Sequence, residues 1–352
     1  MMNKIIDLRS DTVTHPTLKM REAMMNAEVG DDCYGEDPTV QRLETLAAEK
    51  VGKEASMYVP TGTMGNTTAI LAHTHAGEHA IMDIECHIYY YENGAMSSVG
   101  GIMPIVVDSS DGCPNADVVE PYLQRSPTRY PKTSLICLEN THNRRGGRAI
   151  GLDRMGAICE LARRYGVSVH LDGARIFNAA LALGVEVKEV AAHVDSVMFC
   201  LSKGLCAPVG SMLAGDADFI QKARLARRQL GGGMRQSGVL AAAGIVSLTE
   251  MTDRLIEDHD NAKLLAKALL QFDQLDLRRE DFHTNMVFLN TEPLGISAED
   301  FAERTAQHNI RVSVYGPTTV RLVTNHDASR EDVLYAAEVL VDLIRSILNR
   351  AV

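Results

Sequence analysis

Short apolar runs alternate with longer amphipathic stretches between about residues 55 and 215 of the chain. Each run is four to eight residues long, and stretches between them, such as 154–165, carry apolar residues at the three- and four-residue spacing of helices. Strands that are apolar on both faces and separated by helices indicate a mostly parallel sheet covered on both sides. The pattern therefore predicts an α/β fold. The apolar runs are EASMYVP, AIMD, MPIVVD, TSLICLEN, VSVHLD and SVMFCLSK.

The pattern changes after residue 216. Helical segments follow, and then two strands, a helix, two short strands and a final helix, an order typical of a small α+β lobe. The first of these strands is LDLRR at 275–279. We therefore expect a large domain over 15–253, and a bridging helix with a small carboxyl-terminal domain over 254–352. Residues 1–14 form an amino-terminal segment that can join either lobe.

Composition and charge exclude several classes of protein. With 45% apolar and 23% charged residues among 352, the chain is unlike a disordered protein or a coiled coil. Its 35 basic and 46 acidic residues leave a net charge of −11, so we expect no nucleic-acid and no membrane partner. No apolar run approaches the roughly 20 residues that span a bilayer. The amino end, MMNKIIDLRSDT, is too polar for a secretory signal, and we expect a cytoplasmic protein.

Neither the cysteines nor a cluster of histidines predicts a metal site. The seven cysteines form no CxxC pair, which is typical of a reduced intracellular protein without disulfides or a zinc cage. His73, His75 and His79 lie at a helix end and in the turn after it, with no carboxylate or thiolate spaced to complete a coordination shell. We interpret them as residues of a solvated turn and expect no metal.

Two apolar strands end in residues that can carry chemistry. The strand VSVHLD ends at Asp172, and Arg175 follows it, so this strand end suits a charged planar cofactor or an acid substrate. The alternative is a local Asp–Arg pair that caps the next helix. The strand SVMFCLSK ends at Lys203. This lysine either forms a Schiff base or simply emerges at the end of its strand.

The segment PTGTMGNTTAI at 60–70 places a glycine-containing turn before a helix. Backbone N–H groups and the positive end of the helix dipole at such a turn favour a phosphate group. The segment matches neither GxGxxG nor the Walker pattern, so it does not specify a nucleotide. The alternative is an ordinary turn whose helix is capped by Thr61 or Thr63.

Together these three elements meet the needs of pyridoxal 5′-phosphate. The phosphate needs fixed donors, the pyridine nitrogen needs an acid such as Asp172, and the aldehyde needs a lysine such as Lys203. A ring is also expected over the pyridine face. His87, which follows the strand AIMD, is the candidate for that role.

Blocks along nearly the whole chain resemble the threonine aldolases. The resemblance is to the low-specificity and L-allo-threonine aldolases, which are fold-type I pyridoxal-phosphate enzymes of the beta-eliminating lyase superfamily. It implies an aspartate-aminotransferase-like fold, with a large domain built on a mostly parallel seven-stranded sheet between helices and a small α+β domain. The blocks are DLRSDTVTHPT (7–17), VGDDCYGEDPTV (29–40), PTGTMGN (60–66), HIYYYENGA (87–95), LENTHNRRGG (138–147), HLDGARIFNAA (170–180), SKGLCAPVGS (202–211), GGGMRQSG (231–238) and VRLVTN (320–325).

The resemblance assigns cofactor-binding roles to residues of these blocks. Lys203 would form the Schiff base with the cofactor, Asp172 would pair with the pyridinium nitrogen, and His87 would stack on the ring. Gly62 and Thr63 would bind the phosphate.

The resemblance also assigns residues to the substrate and to a neighbouring subunit. Arg175, which also contacts the cofactor, would hold the substrate carboxylate with Arg321 and Ser10. His142 would lie near the substrate β-hydroxyl. Family members are homotetramers built as dimers of dimers, in which Tyr34 would reach the active site of a neighbouring subunit.

The expected reaction is the cleavage of L-threonine or L-allo-threonine to glycine and acetaldehyde, through a Schiff base at Lys203 and retro-aldol breakage of the Cα–Cβ bond. Such an enzyme would serve amino-acid metabolism, in threonine catabolism and glycine biosynthesis. The base is His87 or His142, acting directly or through a water. The alternatives are a racemase or a β-eliminating lyase on the same scaffold, and a non-enzymatic cofactor carrier that has lost turnover.

Overall fold

The structure, a computed structural model, describes residues 4–126, 128–275, 277 and 282–350. The strands are β1 (Ile6–Asp7), β2 (Ala55–Val59), β3 (His79–Asp83), β4 (Met103–Val107), β5 (Thr133–Glu139), β6 (Ser168–Asp172), β7 (Ser196–Cys200), β8 (Ser211–Gly215), β9 (Met286–Asn290), β10 (Ile310–Arg311), β11 (Ser313–Val314) and β12 (Thr319–Val323). The helices are α1 (Leu18–Met25), α2 (Pro38–Val51), α3 (Gly62–His73), α4 (His87–Tyr90), α5 (Ala95–Ser98), α6 (Ala116–Leu123), α7 (Leu152–Tyr165), α8 (Ile176–Leu183), α9 (Val187–Ala192), α10 (Ala217–Gln229), α11 (Gly238–Val246), α12 (Leu255–Leu269), α13 (Ala298–Ala306) and α14 (Arg330–Arg350).

The chain divides into two compact units, of which the larger is Pro16–Thr252. Its seven-stranded sheet has the order β2-β8-β7-β6-β5-β3-β4. The pairs from β7 through β6, β5 and β3 to β4 are parallel, whereas β8 runs antiparallel to both of its neighbours. All residues of β5, β7 and β8 are buried, as expected for strands covered on both faces. The predicted mostly parallel α/β sheet is confirmed.

Three neighbouring parallel strands of this sheet end in a carboxylate. Asp83 ends β3, Glu139 ends β5 and Asp172 ends β6, and all three are buried. Glu139 and Asp172 are direct partners in the register of their strands. The carboxyl edge of the sheet, where ligands of such folds bind, therefore carries a row of buried acids.

Helix α3 packs closely on β7 through two glycines. A Cβ atom at Gly65 would lie 2.7 Å from Cγ of Met198, and one at Gly62 would lie 3.0 Å from Sγ of Cys200. The side-chain oxygen of Thr61 caps the helix by accepting a hydrogen bond from the N–H of Met64 at 3.1 Å. At Gly65 a Cβ atom would force α3 or Met198 to shift, so this contact favours glycine.

The smaller unit is Met1–His15 with Asp253–Val352. It holds a three-stranded antiparallel sheet in the order β11-β12-β9, and a parallel pair of β1 with β10. Helices α12, α13 and α14 contribute to one apolar core with strands β1, β9, β10 and β12. The expected strand LDLRR lies mostly outside the described residues, and its first residue, Leu275, ends a 3-10 turn. In the described part of the chain, no helix has the length and apolar character to cross a membrane.

Candidate active site

Asp172 is held in a fixed orientation at the end of β6. Its side chain is buried, Oδ1 accepts a hydrogen bond from the N–H of Ala174 at 3.0 Å, and Oδ2 accepts one from Nδ2 of Asn66 at 2.9 Å. These two neutral donors leave lone pairs of the carboxylate available for a cation. This is the arrangement that a protonated ring nitrogen needs.

His87 opens α4, four residues after β3 ends, and its ring faces two carboxylates. Nδ1 lies 3.0 Å from Oε1 of Glu92 and 4.0 Å from Oδ2 of Asp172. Burial disfavours the imidazolium, but the hydrogen bond to Glu92 and the charges of Asp172 and Glu92 outweigh it, so the pKa of His87 is raised. The side chain remains 31% exposed, so a ligand can reach the ring.

Glu92 is the main site residue that the sequence analysis did not single out. It is buried, with burial and the charge of Asp172 raising its pKa against the hydrogen bonds from His87 and Asn66. Oε1 of Glu92 accepts from Nδ2 of Asn66 at 2.8 Å, so one amide serves both acids. Both residues could have been found from their positions in the sequence. Glu92 lies in the block HIYYYENGA and Asn66 in the block PTGTMGN, and both blocks resemble the family.

His142 lies in a second acidic environment and is fully buried. Nε2 is 3.3 Å from Oδ1 of Asp83 and 3.9 Å from Oε2 of Glu139, and Nδ1 accepts a hydrogen bond from the N–H of Arg145 at 3.3 Å. Burial lowers the pKa of His142, but the charge of Glu139 and the contact with Asp83 together raise it by more than burial lowers it. The pKa of His142 is therefore raised. Its approach to a substrate hydroxyl stays a prediction.

Glu139 connects the two histidine segments. Its Oε2 accepts a hydrogen bond from the backbone N–H of His87 at 2.6 Å, and its Oε1 accepts one from the N–H of Asn143 at 2.8 Å. The end of β5 therefore fixes the start of α4 and the loop that carries His142 at the same time.

Lys203 lies three residues beyond the end of β7, the strand on which α3 packs. Its side chain is half-buried, and its charge acts on His87. Gly62 and Thr63 form the first turn of α3, where backbone N–H groups point out of the helix. Pyridoxal 5′-phosphate requires a lysine for its aldehyde, N–H groups for its phosphate, a carboxylate for its ring nitrogen and a ring over its face. Lys203, the amino terminus of α3, Asp172 and His87 supply these groups, so the residues fit the cofactor.

Of the three residues predicted to hold a carboxylate, Arg175 and Arg321 are buried and Ser10 is half-buried. Arg175 is buried and precedes α8, in the larger unit. Arg321 and Ser10 belong to the smaller unit, where Nη2 of Arg321 donates to the carbonyl of Arg9 at 3.2 Å and Oγ of Ser10 accepts from the N–H of Thr12 at 3.2 Å. Their role toward a substrate stays a prediction.

The interpretation of the histidine-rich turn is wrong for two of its three residues, because His79 is the half-buried first residue of β3 and His73 packs inward. His75 is exposed, as expected, but His73 stacks on Phe219 with ring centroids 4.4 Å apart, and its Nε2 lies 2.7 Å from Oγ of Ser196. Burial lowers the pKa of His73 to about 4. The turn follows α3, and the last residue of that helix, His73, packs inward. The sequence alone does not show whether this residue faces the solvent or the interior.

Among the residues that the structure describes, one group of side chains has the spacing of metal ligands. Single ligand atoms of His87, Glu92 and Asp172 lie within 4.8 Å of one another. The carboxylate oxygens nearest His87 already accept hydrogen bonds from Asn66. We therefore assign these contacts to a hydrogen-bonded network.

Comparison with known proteins gives consistent results over nearly the whole chain. The sequence model of the beta-eliminating lyase family matches residues 7–292. Low-specificity L-threonine aldolase 1 of Arabidopsis thaliana is 44% identical over 340 residues, which cover 95% of each chain. The low specificity L-threonine aldolase of Escherichia coli K12 is 43% identical over 334 residues, covering 95% of this chain and 97% of its own.

A solved structure supports the fold independently. A threonine aldolase of Leishmania major superimposes with a TM-score of 0.82 over 96% of this chain and 99% of that one, at 19% identity. At this level of identity the similarity establishes the architecture, which is that of the fold-type I enzymes.

Proposed function

The chain belongs to the beta-eliminating lyase family, and we propose that it is a low-specificity aldolase that cleaves L-threonine and L-allo-threonine to glycine and acetaldehyde. The observation that supports this most is identity of 43–44% to low-specificity L-threonine aldolases along nearly the full length of both chains. The family uses pyridoxal 5′-phosphate, and the residues at the carboxyl edge of the sheet fit that cofactor.

We assign the cofactor to five residues of the larger unit. Lys203 would hold its aldehyde carbon, Asp172 its ring nitrogen and His87 its ring face, with the N–H groups of Gly62 and Thr63 at its phosphate. When bound, the cofactor supplies an electron-accepting ring that takes up the electron pair of the broken Cα–Cβ bond. The remaining work of catalysis is orientation of the substrate and movement of one proton.

We assign that proton movement to His87. Oε1 of Glu92 lies 3.0 Å from Nδ1 of His87 and accepts its proton in a hydrogen bond. Nε2 of His87 is then the nitrogen whose lone pair is available to the substrate. As the Cα–Cβ bond breaks, Nε2 accepts the β-hydroxyl proton and the hydroxyl oxygen becomes the aldehyde oxygen. Return of a proton to Cα then gives glycine.

His142 has the weaker claim to be the base. Its ring is fully buried, Nδ1 already accepts the N–H of Arg145, and Nε2 faces Asp83. In this arrangement the proton of His142 lies on Nε2 and no lone pair faces solvent. We propose that His142 supports the loop after β5, and that the substrate hydroxyl binds beside it.

Product analysis tests the reaction. The purified protein with added cofactor is supplied with L-threonine, L-allo-threonine or D-threonine, alongside Lys203→Ala and the exposed-lysine control Lys222→Ala. We expect glycine and acetaldehyde from both L-isomers, no product from Lys203→Ala, and unchanged activity in Lys222→Ala. Ammonia with 2-oxobutyrate, or inversion at Cα alone, would contradict the aldolase and favour the eliminating lyase or the racemase. Borohydride trapping of cofactor on Lys203 without turnover would indicate the carrier.

We also propose a homotetramer whose active sites are shared between subunits. Tyr34 is 78% exposed, and Leu225, 69% exposed, lies beside the same concave surface. The turn that carries Tyr34 is anchored by a buried ion pair, 2.9 Å long, between Asp32 and Arg227. Light scattering gives the subunit number. Mixing Tyr34→Ala with Lys203→Ala should restore activity if Tyr34 serves a neighbouring subunit, and no recovery would contradict shared sites.

We propose a cytoplasmic location for the protein. Its seven cysteines are all free, and six of them are buried. Unpaired cysteines are typical of proteins in reducing compartments. Fractionation of cells that make the tagged protein tests this proposal.

A further inference from the structure

A row of buried polar side chains leads from the two carboxylates of the site into the interior of the larger unit. Asn66 lies on α3, His170 on β6 and Ser196 at the start of β7, and none of them is exposed. The row begins at Asp172 and Glu92 and ends at His73. Nδ2 of Asn66 lies 2.9 Å from Asp172 and 2.8 Å from Glu92, and Oδ1 of the same amide lies 3.1 Å from Nε2 of His170. On the other side of the imidazole, Nδ1 of His170 lies 2.9 Å from Oγ of Ser196. That oxygen lies 2.7 Å from Nε2 of His73.

The direction of each hydrogen bond in this row follows from the two carboxylates. Ionised carboxylates only accept, so the group that faces both must be the NH2 of Asn66. Its Oδ1 then faces Nε2 of His170, which must carry the proton. Nδ1 of His170 therefore accepts from the hydroxyl of Ser196, whose oxygen in turn accepts from Nε2 of His73. Every donor has one acceptor, and the row has one consistent orientation.

Burial keeps His170 in the neutral form that this orientation needs. The ring is fully enclosed, and burial lowers its pKa to about 3. An imidazolium would have to donate from both nitrogens, which the hydroxyl of Ser196 could accept only by losing its own donor role. Burial and the hydrogen-bond pattern therefore both favour a neutral ring with its proton on Nε2 at neutral pH.

We propose that Asn66 and His170 are positioning residues of the active site. His170 holds the Asn66 amide in the one orientation that donates to both carboxylates, so that Asp172 keeps an ionised oxygen for the cofactor nitrogen and Glu92 keeps its hold on His87. This inference rests on the roles proposed above for Asp172 and His87.

The need for His170 follows from the symmetry of an amide. Without a donor at Oδ1, the Asn66 side chain could rotate by half a turn and set its oxygen against two acids. One acid would then have to take up a proton, because an acceptor facing a buried carboxylate leaves both unpaired. A protonated Asp172 no longer stabilises a protonated ring nitrogen, and a protonated Glu92 no longer supports His87.

The wild-type holoenzyme offers a test in which a variant serves only to assign a signal. In protein labelled with 13C and 15N in histidine, solid-state NMR distinguishes the two neutral tautomers from the imidazolium, and His170→Gln identifies the signal. We expect His170 to carry its proton on Nε2 and not to titrate across neutral pH. A proton on Nδ1, or a titrating imidazolium, would overturn the proposal.

Two matched variants separate the donor function of His170 from the mere filling of space. The amide of Gln in His170→Gln reaches the place of Nε2 and can donate to Asn66, whereas that in His170→Asn reaches only the place of Nδ1 and faces Ser196. We expect kcat to fall about tenfold or more in His170→Asn, the effect of one buried polar group left unpaired, and to stay within about threefold in His170→Gln. KM should change little in either.

The ring nitrogen of the bound cofactor gives a second readout besides activity. With 15N-labelled cofactor, its chemical shift reports the protonation of that nitrogen, and Asp172→Asn is the reference for its loss. We expect His170→Asn to shift toward the reference and His170→Gln to match the wild type. If Asp172→Asn leaves the shift unchanged, the role of Asp172 fails; if only the reference shifts, the role of Asp172 stands and that of His170 is overturned.

Discussion

Oε1 of Glu92 lies 3.0 Å from Nδ1 of His87, and the backbone N–H of His87 is bound separately by Glu139. One acid thus fixes the tautomer of the ring and another fixes the main chain that carries it. A histidine held in both ways presents the same nitrogen in the same direction at every turnover. This favours His87 over His142 as the group that accepts the substrate proton.

Replacing Glu92 by Gln should weaken His87 as a base and move its titration to lower pH. Glu92 raises the pKa of His87 by its hydrogen bond and its charge, so the neutral amide lets that pKa fall. We expect the acid limb of the pH profile of kcat/KM to shift to lower pH. The plateau should fall by about 10 to 100-fold, because a less basic group takes the proton less readily. Steady-state kinetics across the pH range measure both changes.

The matched control for that measurement is His87→Asn, which removes the titrating group. It should abolish the acid limb that Glu92→Gln only shifts. If Glu92→Gln leaves the limb in place, or if His142→Asn rather than His87→Asn abolishes it, then His87 is not the base.

The two helix glycines Gly65 and Gly156 should respond to alanine with opposite signs. A Cβ at Gly65 would meet Cγ of Met198 at 2.7 Å in a buried contact, whereas one at Gly156 would meet only the ring of His193 at 3.5 Å. We expect Gly65→Ala to destabilise the protein by about 1–3 kcal/mol through overpacking, and Gly156→Ala to stabilise it by up to about 1 kcal/mol through helix propensity. Urea unfolding of both variants measures this. Equal effects would mean that α3 can move away from β7 at no cost.

Stability should decline with rising pH where Asp258 ionises. Burial raises the pKa of Asp258 to about 6, against the opposing hydrogen bond from Arg254, whereas an unfolded Asp titrates near 3.8. The folded protein binds this proton more tightly, so the stabilisation is complete below about pH 4 and is lost as the pH rises through about 6. Relative to Asp258→Asn, the wild type should lose roughly 2–3 kcal/mol of unfolding free energy across that window. Urea titrations at several pH values measure it, and parallel curves for the two proteins would contradict it.

Residues at strand ends could be found from the sequence, whereas residues that face inward from helices could not. Asp172 and Lys203 follow long apolar runs, and the carboxyl ends of strands meet at the ligand-binding edge of such a sheet. The α/β sheet and the family resemblance are confirmed. Asn66 lies within a helix, where the period of the sequence shows a buried face but not which partner that face meets.

His73 illustrates the same difficulty from the other direction. Its neighbours in sequence are those of a turn, yet its ring packs on Phe219 and contacts Ser196, more than 100 positions further along the chain. Such a pairing is set by how α3 lies on the sheet, which no local pattern records. The same holds for Glu92, whose partner Asn66 comes from another element.

The one-way hydrogen bonding from His73 to the acids predicts how related proteins can vary. Because each residue in the row must donate to the next, a homologue cannot change one of them independently. Loss of the donor at the position of His170 should be accompanied by loss of the amide at that of Asn66, or by glutamine in place of the histidine. The two positions should therefore covary among relatives even though both side chains are fully buried.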